Sequence, residues 1–112
     1  MAGTTFKNLA VAHNAALVAA GSDILAAVQV KRNGVLQIGV AVDTSTTVQI
    51  GVSDGTTTET LDLNGGTALT AGAAYAFTFP ARSGYSYSLV NKTGGTDTTI
   101  MHALLQLETP VG

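Results

Sequence analysis

The chain predicts an all-β fold: an antiparallel β-sandwich, jelly-roll-like, with about eight short strands. Three observations carry that reading. Apolar residues recur at every second position through most of the 112 residues. Turn-forming residues interrupt them roughly every 8–12 positions. No stretch holds a convincing helical period. An immunoglobulin-like sandwich is the second candidate, without its Cys–Trp–Cys signature, since the chain has neither cysteine nor tryptophan. The length fits one domain.

The clearest stretch is Asp23 to Asp43, DILAAVQVKRNGVLQIGVAVD. Val28 and Val30 alternate with Gln29 and Lys31. Leu36, Ile38, Val40 and Val42 alternate with Gln37, Gly39 and Ala41. Asn33-Gly34 between them predicts a β-hairpin. A three-residue loop with Gly34 at positive φ sets Val30 opposite Leu36 and Val28 opposite Ile38. That register places every branched residue on one face, and a slip of one residue would expose them all.

The remaining elements follow in order. Residues 1–12 read as an N-terminal arm. Phe6, Leu9 and Val11 are its large apolar residues, and no period joins them. Residues 14–20, NAALVAA, suit a short helix or a short strand, and the β-rich context favours the strand. Val48, Ile50 and Val52 give a further strand, closed by Asp54-Gly55. Leu61 and Leu63 mark the next, ended by Asn64-Gly65-Gly66, and a small strand around Leu69 is possible after it. Tyr75, Phe77 and Phe79 form an aromatic strand expected to fill the middle of the core. Pro80 has no N–H to donate, so that strand ends there or runs along an edge. Tyr85, Tyr87 and Leu89 follow, then the turn of residues 91–97, then a last strand from Ile100 to Glu108. The domain reading is an arm (1–12), a sandwich (13–109) and a tail (110–112).

Charge is the unusual quantity. Asp, Glu, Lys and Arg make up 11% of the chain, against about 25% in typical soluble domains. Most of these charges sit at expected turns, so the polar strand faces carry Gln, Thr, Ser, Ala and Gly. Free monomers guard exposed edges with charge, and here that protection is thin. Faces of this kind are expected to be covered by neighbouring subunits. The basic residues are scattered, which argues against nucleic acid. No apolar run approaches the ~18 residues of a membrane helix. The start, MAGTTFKNLAVAH, lacks the pattern of a signal peptide.

No motif for catalysis or ligand binding survives weighing. His13 and His102 are the only histidines and lie far apart in sequence, and a catalytic or metal role would need convergent partners, so a structural or interface role is expected; His102 is expected on the face opposite Met101, Ala103 and Leu105. Asp54, Glu59, Asp62 and Asn64 match no calcium loop and read as turn formers. Asn91-Lys92-Thr93 is formally a glycosylation acceptor. Gly94-Gly95 precedes no helix, so a phosphate loop fails on context. Ser83 and Ser86 have no nucleophile-elbow motif around them. Tyr75, Tyr85 and Tyr87 could line a sugar-binding face, but their alternation fits core packing with the hydroxyls at the rim. Catalytic, cofactor-binding and metal-ligating residues are therefore expected to be absent, and no cofactor is expected.

The Thr/Ala/Gly-rich strands, the segment VQIGVSDGTTTETL and the tyrosine-containing penultimate strand give a family resemblance. From Leu25 to Glu108 the chain resembles small virion proteins of tailed bacteriophages, the capsid decoration or cement type. The resemblance implies a non-enzymatic protein that stabilises a capsid lattice by bridging subunits. It implies homo-oligomers and a major capsid or other virion protein as partners, with assembly in the host cytoplasm. Phe6, Leu9 and Val11 are then expected at a subunit interface, with the arm packed on another chain. Two other classes stand beside it. One is a filament subunit assembling by donor-strand exchange, marked by a strand missing from its own fold. The other is a carbohydrate-binding module, marked by an exposed planar row of tyrosines.

Overall fold

A computed structural model describes residues 4–13 and 17–110. The strands are β1 (Thr4–His13), β2 (Leu17–Val18), β3 (Asp23–Gln29), β4 (Gly34–Val42), β5 (Val48–Ser53), β6 (Thr58–Asp62), β7 (Ala74–Ala81), β8 (Ser86–Asn91) and β9 (Thr98–Pro110). They form two antiparallel sheets. Sheet I runs β1-β9-β4-β7, with β2 also paired to β9; sheet II runs β3-β8-β5-β6. Strands pair in a nested series: β1 with β9, β3 with β8, β4 with β7, β5 with β6. Links between successive strands from β3 onward cross from one sheet to the other, except the Asp54-Gly55 turn. This is the jelly-roll order, a long hairpin rolled into two facing sheets.

The core lies between the sheets. Leu36, Ile38, Val40, Ile100 and Leu105 from sheet I meet Ile50, Leu89 and Tyr87 from sheet II, all buried. Alternation along β4 and β5 aims these branched side chains inward and leaves Gln37 and Gln49 outside.

Nesting corrects the expected hairpin. β3 pairs with β8, whereas β4 lies in the other sheet between β7 and β9. Val30 and Leu36 both reach the core, but from opposite sheets. Period-two alternation fixes the buried face of β4 and leaves its neighbour open; in β3 two register shifts break the alternation, so Leu25 is buried and Ala26 exposed. Arg32-Asn33 is a corner. Asn33 Oδ1 accepts from the Ser83 N–H at 2.8 Å, and Ser83 donates its hydroxyl to the Lys31 carbonyl at 3.0 Å. Gly34 is absent from the glycines with positive φ. Its requirement is space: a Cβ there would collide with the Glu108 carbonyl oxygen.

The segment expected as an arm is, from Thr4 onward, β1 itself. It pairs with β9 from Thr4↔Pro110 to His13↔His102, so it packs on its own sheet rather than projecting to another chain. The register shifts between Asn8 and Ala10, so Leu9 is an extra residue in a bulge. That bulge is why Phe6, Leu9 and Val11 share no period. Pro110, expected in a tail, ends β9. Of the stretch 14–20, Leu17–Val18 is a strand and residues 14–16 lie outside the described residues.

β7 is the edge of sheet I, so its aromatics are half-buried and do not occupy the centre of the core. Tyr75 and Phe77 stack with centroids 6.1 Å apart, and Phe79 meets Tyr87 edge-on at 6.2 Å. Pro80 sits on this edge, as its missing N–H requires. Leu69 is fully buried but belongs to a loop, not a strand.

Candidate interaction faces

Each sheet turns one face to the core and one outward, and the two outward faces differ in chemistry. The outward face of sheet I is ordered in rungs by its register. One rung is Phe6–Glu108–Val35–Pro80; the next is Asn8–Gln106–Gln37–Thr78; the third is Val11–Leu104–Gly39–Ala76. The middle rung is fixed by amides: Gln106 Nε2 donates to Asn8 Oδ1 at 2.9 Å, and Gln37 Nε2 donates to Glu108 Oε1 at 2.7 Å. Glu108 is the one carboxylate in these three rungs, and it is half-buried.

Large apolar side chains concentrate here. Phe6 (54% exposed), Val11 (45%), Leu17 (64%), Val35 (39%) and Met101 (42%) all lie outward on sheet I. Leu61, on β6, is the remaining large apolar residue exposed to this degree among the described residues. Met101 is placed there by a bulge. β4 and β9 shift register between Ala41↔His102 and Val42↔Ile100, so Ile100 and Ala103 both face inward. Met101 and His102 then both face outward, which corrects the expectation that they lie on opposite faces. The His102 ring rests over Gly39, with Nε2 3.1 Å from where a Gly39 Cβ would stand.

Of the interface residues expected from sequence, Phe6 and Val11 reach this face. Leu9 packs half-buried against the core instead. Leu17, Val35 and Met101 were not singled out by the sequence. Val35 had a readable signal, because it precedes Leu36 and so falls in the outward parity of β4. The Met101 bulge leaves no such signal.

The outward face of sheet II is polar and concave, with a hollow of about 520 Å³. Gln29–Ser86–Ser53–Thr58 makes one rung, Ser88–Gly51–Thr60 the next, and Asp23–Val90–Gln49–Asp62 the third. A Cβ on Gly51 would strike the Ser88 hydroxyl, so glycine there gives the hollow its depth. Gln49 Nε2 donates to Asp62 Oδ1 at 2.7 Å, and Lys92 Nζ bridges Asp62 Oδ2 at 2.9 Å. These two donors, Lys92 first, hold the Asp62 carboxyl below its ordinary pKa.

The other sequence candidates disperse into structural roles. Asp54 caps its own turn, accepting from the Thr56 and Thr57 N–H groups at 2.8 Å each. Asn64 takes positive φ and donates to the Thr67 carbonyl. Asn91, the formal glycosylation acceptor, is completely buried, and its Nδ2 donates to the carbonyls of Val18 and Thr96. An amide so enclosed is closed to a glycosyl transferase in the folded state. Tyr87 is 2% exposed and its hydroxyl accepts from the Arg82 N–H, while Tyr75 accepts from the Thr70 N–H. The tyrosines thus form no exposed planar row. Among the described residues, no three His, Asp or Glu side chains gather as a metal site would require.

Comparison of the chain with protein-family models, with curated proteins and with solved structures returns no match.

Proposed function

We propose that this protein is a non-enzymatic structural subunit of a virion, of the capsid decoration type. It docks through the outward face of sheet I, to itself and to a major capsid or other virion protein. The carrying observation is the gathering of Phe6, Val11, Leu17, Val35 and Met101 on one nearly uncharged face. Contiguous exposed apolar surface of this kind marks an interaction site. Strand spacing of about 4.8 Å and a rise of about 3.4 Å per residue give a four-stranded face on the order of 600 Å². Pairing two such faces buries on the order of 1,200 Å², the lower bound of a specific interface.

The resemblance of Leu25 to Glu108 to small phage virion proteins supplies the setting. A filament subunit built by donor-strand exchange is less well supported. Among the described residues, the strands of this chain pair continuously across both sheets, which favours a self-contained sandwich over donor-strand exchange.

The test is sedimentation of the purified protein over a wide concentration range, with electron microscopy of the particles it accompanies in the producing cell. Oligomers that join a regular shell support the proposal. A monomer at every concentration, accompanying no particle, overturns it.

A further inference from the structure

We propose that the hollow on sheet II is a binding site for a neutral oligosaccharide. It is a separate site from the apolar face of sheet I and stands or falls independently of it.

The chemistry of the hollow selects the ligand class. The hydroxyls of Thr58, Thr60, Ser86 and Ser88 line it. None of the four is engaged in a side-chain hydrogen bond, whereas neighbouring Gln49 and Asp62 are locked to each other. Each free hydroxyl can donate once and accept twice. A ligand that satisfies them must itself offer hydroxyls that both donate and accept. Anions are disfavoured: Asp23 lines the hollow, Asp62 stands beside its Gln49, and the nearby cation, Lys92, is already neutralised by Asp62. Apolar ligands would leave the hydroxyls desolvated and unpaired.

Geometry selects an extended ligand. The rungs cross the strands with β5 in the middle, so the free hydroxyls of Ser86 and Thr58, and those of Ser88 and Thr60, stand two strand spacings apart, roughly 10 Å. That span is close to the length of two pyranose units. Gly51 leaves room over the middle rung, and Ala27 and Val90 supply C–H surface beside it. Gln49 lines one end of the hollow, and Asp62, itself bridged to Lys92, holds its Nε2, so the Gln49 amide oxygen is presented without side-chain ordering on binding. No aromatic ring lines the hollow, so the affinity is in the millimolar class typical of hydrogen-bonded neutral ligands.

The experiment is an amide-resolved NMR titration of the whole chain with neutral trisaccharides built from glucose, galactose and mannose. Saturable shifts centred on Gly51, Ser86, Ser88 and Thr60, for at least one trisaccharide, are expected. Thr60→Lys, an exposed change on an edge strand, should weaken that binding at least tenfold while the remaining spectrum holds. Gly51→Val should abolish it, and Thr60→Lys keeps the test decisive if that variant does not fold. Shifts confined to other surfaces overturn the proposal. So does no saturation with any trisaccharide at tens of millimolar, or saturation by a lysine-rich peptide alone.

Discussion

Thr46 donates its hydroxyl to Asn91 Oδ1 at 2.7 Å, and both side chains are sealed from solvent. The same Thr46 oxygen accepts from the Thr96 N–H at 3.0 Å. Asn91 spends its two amide protons on the carbonyls of Val18 and Thr96. Its backbone joins in as well, since Gly21 N donates to the Asn91 carbonyl and Asn91 N donates to that of Ser22. Three crossover segments are thus tied by one satisfied polar knot at the end of the sandwich.

Removing either partner strands buried groups, so loss of the knot should be costly. Asn91→Ala is expected to destabilise by roughly 2–4 kcal/mol, because it orphans two carbonyls and a hydroxyl. Thr46→Val should cost about 1–2 kcal/mol through the abandoned Thr96 N–H. The double variant should cost less than the sum, as shared partners couple. Urea unfolding measures all three; strict additivity would show that the two side chains act separately.

Gly34 gives a prediction whose cause the structure changes. As a turn glycine at positive φ it would tolerate asparagine. As a glycine pressed against the Glu108 carbonyl it tolerates no Cβ. Gly34→Ala, Gly34→Asn and Gly34→Val should therefore each destabilise by about 1–3 kcal/mol, as overpacking does. Thermal melts of the three decide the matter. A Gly34→Asn protein as stable as its parent would restore the turn reading.

That reversal shows what was legible in the sequence. Alternation in β4 and β5 named the inward side chains, and Leu36, Ile38, Val40 and Ile50 are buried where it placed them. Turn chemistry located the Asp54-Gly55 hairpin. Pairing was not legible, because alternation orients a strand's faces without naming its neighbour, and the register shifts in β3 that bury Leu25 and expose Ala26 carry no marker. Bulges at Leu9 and Met101 change parity without a marker residue: the first turns Leu9 toward the core, and the second hid Met101. Asn91 was opaque for another reason: a polar residue before Lys-Thr-Gly-Gly looks like surface, and its burial depends on partners far away in sequence.

Acid should loosen the sandwich through its depressed carboxyls. Asp43 Oδ1 accepts from the Thr99 N–H, the largest contribution, and from the Thr98 hydroxyl, which holds its pKa below the ordinary 3.8. The Thr57 and Thr56 N–H groups depress Asp54 likewise. A carboxyl whose folded pKa is lowered adds stability in full above its unfolded value. That stability is lost as pH falls through the folded value. Urea midpoints should therefore be level above about pH 5 and decline below about pH 4. Asp43→Asn and Asp54→Asn together should flatten that decline. Both groups are exposed, so the effect is modest, and an acid limb of unchanged slope in the double variant would remove these two residues from the account.

The apolar face of sheet I makes the last prediction. Val35 stands outward beside Glu108 on the central strands, and Met101 stands outward at the β9 bulge. Neither contributes to the buried core, so Val35→Lys and Met101→Lys should leave the melting temperature nearly unchanged, as exposed substitutions do. In an assembly each would place an ammonium group against apolar surface with no partner, and desolvating such a charge is expensive. Self-association should weaken at least tenfold per variant, corresponding to about 1.4 kcal/mol. Thr60→Lys adds the same charge to sheet II and should leave self-association alone. Sedimentation equilibrium on the three proteins at matched concentration reads the result. If Thr60→Lys dissociates the assembly while Val35→Lys and Met101→Lys do not, subunits meet through the concave polar face. The exposed apolar side chains of sheet I would then have no part in the interface.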